Sequence, residues 1–347
     1  MTEIDSFLRR LPKAELHLHL EGAVLPATLV ELSERHPDTP ITLAEAEALY
    51  RFTDFSGFLV AYKAVCARLI TPEDWELAAW RMAERLAEQG VVHAEVFLSV
   101  GVLYRWGPGG NRPLTPESFP PVFEAIFAGL ERARLRAEQQ LGLTLYWIFD
   151  AVRHFTVAEA RLVFEAAARM RRIHPAIVGI GLGGDERQTG SEPFRELYAA
   201  ARAAGLRLTN HAGETTGPEA ICEALAIGSE RLGHALSAIR DPDLVAELKA
   251  RQIPLELNPS SNIRTGLCAS FAAHPLRSYF DAGLMVTLNS DDPAFFGSDI
   301  EMEYRKAHTE QSFTHDELRQ IASNSIVASF LPEDAKRLWL SRIESTQ

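Results

Sequence analysis

The sequence predicts an α/β protein, a (β/α)8 TIM barrel with helical insertions near the barrel mouth, in one domain over 1–347. Three observations predict it. Short apolar runs alternate with longer helical patterns, as parallel βα units require. Eight such runs are present, and half of them end in Gly, Asp or Ser. The 347 residues exceed the roughly 250 of a bare barrel and leave room for insertions.

The strand candidates are 14–21, 91–99, 143–152, 176–184, 207–214, 231–236, 254–261 and 285–292. Helical patterns lie between them. Residues 156–172 are rich in Ala and Arg, with apolar positions at helical spacing and Thr156 as a cap. Segment 193–204 opens on Pro193 and stops at Gly205, and 218–227 opens on Pro218 and stops at Gly228, the usual Pro-first, Gly-last asymmetry. Helices over 242–250 and 275–282 complete the set. The long segment 23–89, with its aromatic stretch FTDFSGFLVAYKAV, reads as a helical insertion near the mouth. Segment 103–121 carries five Pro and three Gly and reads as an ordered loop.

Composition excludes several classes. Hydrophobic residues at 46% and charged residues at 24% are ordinary for a globular protein. A net charge of −12 argues against nucleic acid or an anionic membrane as partner. No run is long and apolar enough to span a bilayer, and no apolar run precedes the first strand as a signal peptide would. Cys66, Cys222 and Cys268 form no C-x-x-C pair, so neither a disulfide framework nor a thiolate metal site is expected. Cys222 and Cys268 read as small, inert core residues. A cytoplasmic protein with a small-molecule partner is the expectation.

The chemistry sits at strand ends, where TIM barrels place it. In ELHLHLEG, His17 and His19 stand two apart, so a strand presents both imidazoles on one face and Leu16, Leu18 and Leu20 on the other. Two core histidines satisfied by hydrogen bonds would fit that spacing as well as a metal site does. Later strand ends decide between them. The fifth ends in Asn210, His211, Ala212, Gly213 and Glu214, the sixth in His234, and the eighth in Asp291 and Asp292. Buried charges are costly unless paired or ligated, so packing alone does not account for this set. His17, His19, His211 and Asp291 make an N3O donor set suited to one Zn2+ with a water on its open position. Glu214 lies where the chain leaves the fifth strand and can serve as general acid/base. His234 can orient the water, and Asp292 can hydrogen-bond water or substrate. No lysine ends the fourth strand (VGIGLGGDE), so a second metal bridged by a carbamylated lysine is not expected, and the cytidine-deaminase signature is absent.

ELHLHLEG, GGDE, NHAGET, ERLGHAL, NPSSN and LNSDDP, in this order and spacing, resemble the adenosine deaminase family from Leu11 to about His308. The resemblance implies hydrolytic removal of a purine 6-amino group. It implies zinc ligation by His17, His19, His211 and Asp291, with His19 also facing substrate. It further implies protonation of purine N1 by Glu214, a place for His234 beside the attacking hydroxide, contact of Asp292 with N7, and a backbone donor to N3 at Gly184. Two positions depart from the family pattern. Glu21 stands where an Asp contacts the sugar 5′ hydroxyl, and its longer side chain would crowd that group; Gly181 stands where the fourth strand usually carries Asp. Relatives act on adenine, adenosine or aminodeoxyfutalosine, whose 5′ position carries a carboxyphenyl group. The text FTDFSGFLVAYKAVCARLITPEDW is most similar to the last group. Arg105 and Arg153 are candidates to hold that carboxylate, against the simpler reading of solvated arginines. Phe55 and Phe58 could form an apolar lid or simply pack an amphipathic helix. Amide or ester hydrolysis on the same metal, and a non-enzymatic purine-binding protein, are the alternatives.

Overall fold

The computed structural model describes residues 3–52, 55–110 and 112–346, without the side chains of residues 55 and 56. Eight parallel strands form one sheet in chain order: β1 (Lys13–His19), β2 (Val91–Leu98), β3 (Thr144–Val152), β4 (Ile177–Gly183), β5 (Arg207–Ala212), β6 (Arg231–His234), β7 (Leu255–Leu257) and β8 (Val286–Leu288). The ring closes where Leu18 bridges Asp291. There His19 N donates to Asp291 O at 2.9 Å and Asp291 N donates to His17 O at 3.0 Å. This is the predicted (β/α)8 barrel, and its seam runs through three of the expected ligands.

The alternation read from ELHLHL holds. Leu16, Leu18 and Leu20 are buried in the main hydrophobic core, while Glu15 and His17 are fully buried on the opposite face. Deeper in the barrel, Phe97, Ile148 and Val178 form a second small cluster, against which Phe330 packs.

Segment 23–89 is helical, as expected: Pro26–Glu34, Leu43–Leu49, Phe55–Cys66 and Pro72–Glu88. The Thr156 hydroxyl accepts from Glu159 N at 3.0 Å and so caps the helix Val157–Met170. Several expected bounds need correction. The last two strands are shorter than their apolar text. Pro259, which cannot donate to a ladder, falls inside the expected seventh strand and opens the helix Pro259–Arg264 instead. The eighth strand stops at Leu288, and Pro293 opens the helix Pro293–Phe296 just beyond its expected end. The segment expected as loop over 103–121 begins inside the helix Val100–Trp106 and ends inside Phe119–Leu141, with Asn111 outside the described residues. Cys222 is exposed and Cys268 only half-buried, so neither is a core residue. Among the described residues no helix is long and apolar enough to cross a membrane.

Candidate metal and active site

The C-terminal ends of the strands open into a cavity of about 480 Å³. That is the size of pocket that holds a drug-sized ligand, roughly 300–1,000 Å³, and exceeds what a bare base needs. His19, Glu214, His234, Asp291, Asp292 and the Gly184 backbone line it, as does His211.

The four expected ligands fall in two overlapping triads that share His17: His17, His19 and Asp291 in one, and His17 and His211 in the other, where His234, expected to orient the water and not to ligate, completes the group. His17 Nε2 and His19 Nε2 each lie 3.6 Å from Asp291 Oδ1, and His19 Nε2 lies 3.3 Å from His211 Nε2. Local backbone geometry builds this ring. Asp291 and His234 each hold a φ of +63°, a left-handed conformation that non-glycine residues seldom adopt and that concentrates at functional sites. Gly233 leaves room for the His17 ring; a Cβ there would fall 2.6 Å from His17 Cε1. Gly22 does the same for Asp292, with a Cβ position 1.8 Å from Oδ1.

The residues fit a cation. His17 Nδ1 lies 2.7 Å from Glu256 Oε2, so an Nδ1–H donated to that carboxylate leaves Nε2 bare, and Nε2 is buried with no hydrogen-bond partner. Burial holds His19 down at about 4 and His17 and His211 lower than usual, so all three are neutral imidazoles as ligation requires. Burial, opposed by the Ser261 hydroxyl at 2.6 Å, pushes Asp291 up to about 7. Burial and then the Asp291 charge push Asp292 well above the usual carboxylate range. Buried carboxylates crowded in this way are relieved by a bound cation.

Glu214 stands at the cavity wall, raised to about 8 by burial first and by Asp291 second. Its backbone is fixed by Glu186, whose carboxylate accepts from Gly213 N at 2.7 Å, Glu214 N at 3.0 Å and Thr215 N at 2.8 Å. His234 Nε2 lies 3.8 Å from both Glu214 Oε1 and Asp291 Oδ2. Its Nδ1 faces the amides of Asn262 at 3.1 Å and Asn258 at 3.4 Å, an acceptor role that leaves Nε2 bearing the proton in the neutral ring.

Other expectations change. Glu21 does not line the cavity. It is buried, and Oε1 accepts from Ser99 N at 3.0 Å; Ser99 and Tyr62 line the wall instead. Neither arginine candidate reaches the cavity. Arg105 pairs with Glu159 at 2.7 Å over the Phe155 ring, and Arg153 is buried, donating to Asn210 Oδ1 at 2.9 Å. The cations at the rim are Lys63, 5.3 Å from the Trp106 ring centroid, and Arg187, which is paired with Asp185 at 2.9 Å. Phe58 lines the cavity and stacks on Phe296 at 5.6 Å, so it both packs and faces the ligand space; the Phe55 side chain lies outside the described residues.

Sequence reasoning missed Glu256, Glu186 and Asp150. Asp150 obeys the same rule as the residues it found, a carboxylate near a strand's C-terminal end. Glu256 had a weaker signal, one acid between two leucines in a buried strand.

The family model described as adenosine deaminase matches residues 12–346. An aminodeoxyfutalosine deaminase of Streptomyces avermitilis is 36% identical over 99% of this chain and 93% of its own length. The crystal structure of an adenine deaminase from Arthrobacter aurescens superposes with a TM-score of 0.85 at 32% identity, covering 96% of this chain and 98% of that one. An amidohydrolase from Burkholderia ambifaria, solved with bound Zn, gives 0.85 at 27% identity over 99% of this chain and 93% of that one.

Proposed function

The chain belongs to the adenosine deaminase family, and from that premise we propose that it hydrolyses the 6-amino group of aminodeoxyfutalosine, releasing ammonia, with one Zn2+ held by His17, His19, His211 and Asp291. It is an enzyme, a hydrolytic deaminase of an adenine-type substrate. The observation that carries the finer reading is the cavity: the ligand ring and Glu214 at its base, and an outer wall of Phe58, Trp106 and Phe155 with Lys63 at the rim. A bare purine leaves that outer wall unused; an aryl substituent with an anionic end fills it. The Streptomyces relative supports the same substrate.

In this reading zinc, when bound, supplies Lewis-acid activation of the attacking water. The protein's own groups do the rest. The Gly184 N–H and Asp292 hold the purine at N3 and N7, and His19 faces the substrate beside them. Glu214, protonated near neutrality, gives its proton to N1 as water adds to C6. His234 orients that water and stabilises the charge that develops on its oxygen. Of the two protons the water gives up, one passes to the amino nitrogen, so that the C6–N bond breaks and ammonia leaves, and the other returns to the Glu214 carboxylate as C6 becomes a carbonyl. We place the enzyme in the cytoplasm as a single domain over 1–347.

Adenine is the second reading, favoured by the likeness to the Arthrobacter adenine deaminase. The experiment is E214Q with zinc quantified in the same sample. It should keep its metal and lose about 10²- to 10⁴-fold in turnover, the range for a general acid/base. Deamination at the wild-type rate would reject the assignment.

A further inference from the structure

Asp150, near the C-terminal end of β3, faces the same cavity and has no part in the chemistry above. It is 4% exposed, and its Oδ1 has no hydrogen-bond partner. Buried polar groups in folded proteins are nearly always satisfied, so this oxygen is a cost to the fold that no hydrogen bond within it offsets.

The surrounding backbone keeps space for it. A Cβ at Gly181 on β4 would fall 2.5 Å from Asp150 Oδ1 and 2.7 Å from Phe97 Cε1. A Cβ at Gly183 would fall 2.9 Å from Asp150 Oδ2 and 3.6 Å from His211 Cε1. Neither glycine has a positive φ, so the backbone does not demand glycine at either position. Space for the Asp150 carboxyl accounts for Gly183, and together with space for the Phe97 ring it accounts for Gly181. Position 181 also aims at the same point as the Asp150 carboxyl, so a carboxylate carried on β4 could enter that space only if residue 150 were trimmed and the Phe97 ring turned aside.

A buried, unpartnered acid on the wall of a ligand cavity has a simple explanation if the ligand is its partner. We propose that Asp150 is a substrate-contacting residue that hydrogen-bonds a polar group of the bound 6-aminopurine compound from the β3–β4 wall beside His211. The proposal rests on the purine deaminase reading above.

The test compares zinc-loaded D150L, D150N and the exchange D150G/G181D with wild type and D150G, reading kcat/KM, bound zinc and Tm. D150L should lose about 10- to 100-fold in kcat/KM, the worth of one hydrogen bond to a charged or buried group. Its zinc content should not change, and its Tm should equal or exceed that of wild type, because an unpartnered acid has been replaced by an apolar group of similar size. D150N should keep most of the activity, since its amide still hydrogen-bonds. D150G/G181D should recover part of what D150G loses. D150L with wild-type kcat/KM would overturn the proposal, as would a D150L that loses zinc and stability, which would mark Asp150 as a structural post. A wild type that turns over no 6-aminopurine overturns the functional reading and this proposal together; an active wild type with unimpaired D150L overturns this proposal alone.

Discussion

His17 Nδ1 lies 2.7 Å from Glu256 Oε2 with both side chains fully buried. The pair is the near end of a charged row across the barrel. Arg231 donates to Glu256 Oε1 at 2.6 Å and to Glu95 Oε2 at 2.6 Å, and Glu95 in turn faces His93 Nε2 at 3.1 Å and accepts from Phe330 N. The Arg231 guanidinium also lies 4.0 Å from the Phe330 ring centroid. The ring of candidate metal ligands is thereby tied through one imidazole to the barrel floor. A carboxylate behind a ligating histidine fixes its tautomer and raises its basicity.

E256Q should therefore weaken zinc binding about 10- to 100-fold, the usual effect of losing such a partner. Competition with a chromophoric chelator reads it directly. An unchanged zinc affinity would show that Glu256 serves Arg231 alone.

Space is as restrictive as charge at this site. In G233A the new methyl would meet His17 Cε1 at 2.6 Å, so the ring must swing away from the others. G233A should bind zinc more weakly than wild type and deaminate more slowly at saturating zinc. Wild-type metal affinity in a folded G233A protein would mean that the ring tolerates displacement.

The pH dependence follows from Glu214, whose useful form is protonated. Burial raises its pKa to about 8, so the acid is present at neutral pH. As pH rises through that value the proton is lost and kcat/KM should fall, with a bound cation moving the fall to lower pH. The sign is the opposite of that for a carboxylate base, whose activity appears as pH rises. A kcat/KM profile that climbs between pH 7 and 9 would contradict the role given to Glu214.

Lys63 carries the substrate prediction. It is exposed at the rim, so its ion pair with an anionic substituent is worth about 1 kcal/mol at most. K63Q should reduce kcat/KM for aminodeoxyfutalosine by up to about fivefold, leave adenosine unchanged, and lose the effect at high salt. An equal reduction for both substrates would assign Lys63 to packing instead.

The barrel and the residues gathered at the cavity were legible because each leaves a local trace. Two-residue periodicity put His17 and His19 on one face, and strand ends marked His211, Glu214, His234, Asp291 and Asp292. What was not legible depends on partners distant in the chain. Glu21 reads as an acid that crowds the sugar 5′ hydroxyl until Ser99 N is found to occupy its carboxylate. Arg153 reads as a surface cation, yet it is buried behind β5 and held by Asn210. Gly181 reads as a missing acid, although the Asp150 carboxyl from the neighbouring strand already stands where its side chain would point. The shortened β7 was legible in principle, since Pro259 lies inside its expected bounds; no proline marks the stop of β8 at Leu288.

The most direct measurement is kcat/KM of the zinc-loaded enzyme for aminodeoxyfutalosine, adenosine and adenine, followed by loss of the 6-amino chromophore, with a chelated sample alongside. Deamination should need the metal and be fastest with aminodeoxyfutalosine. Adenine or adenosine outrunning it by a wide margin would contradict the substrate, and full activity in the metal-free sample would contradict the role given to zinc.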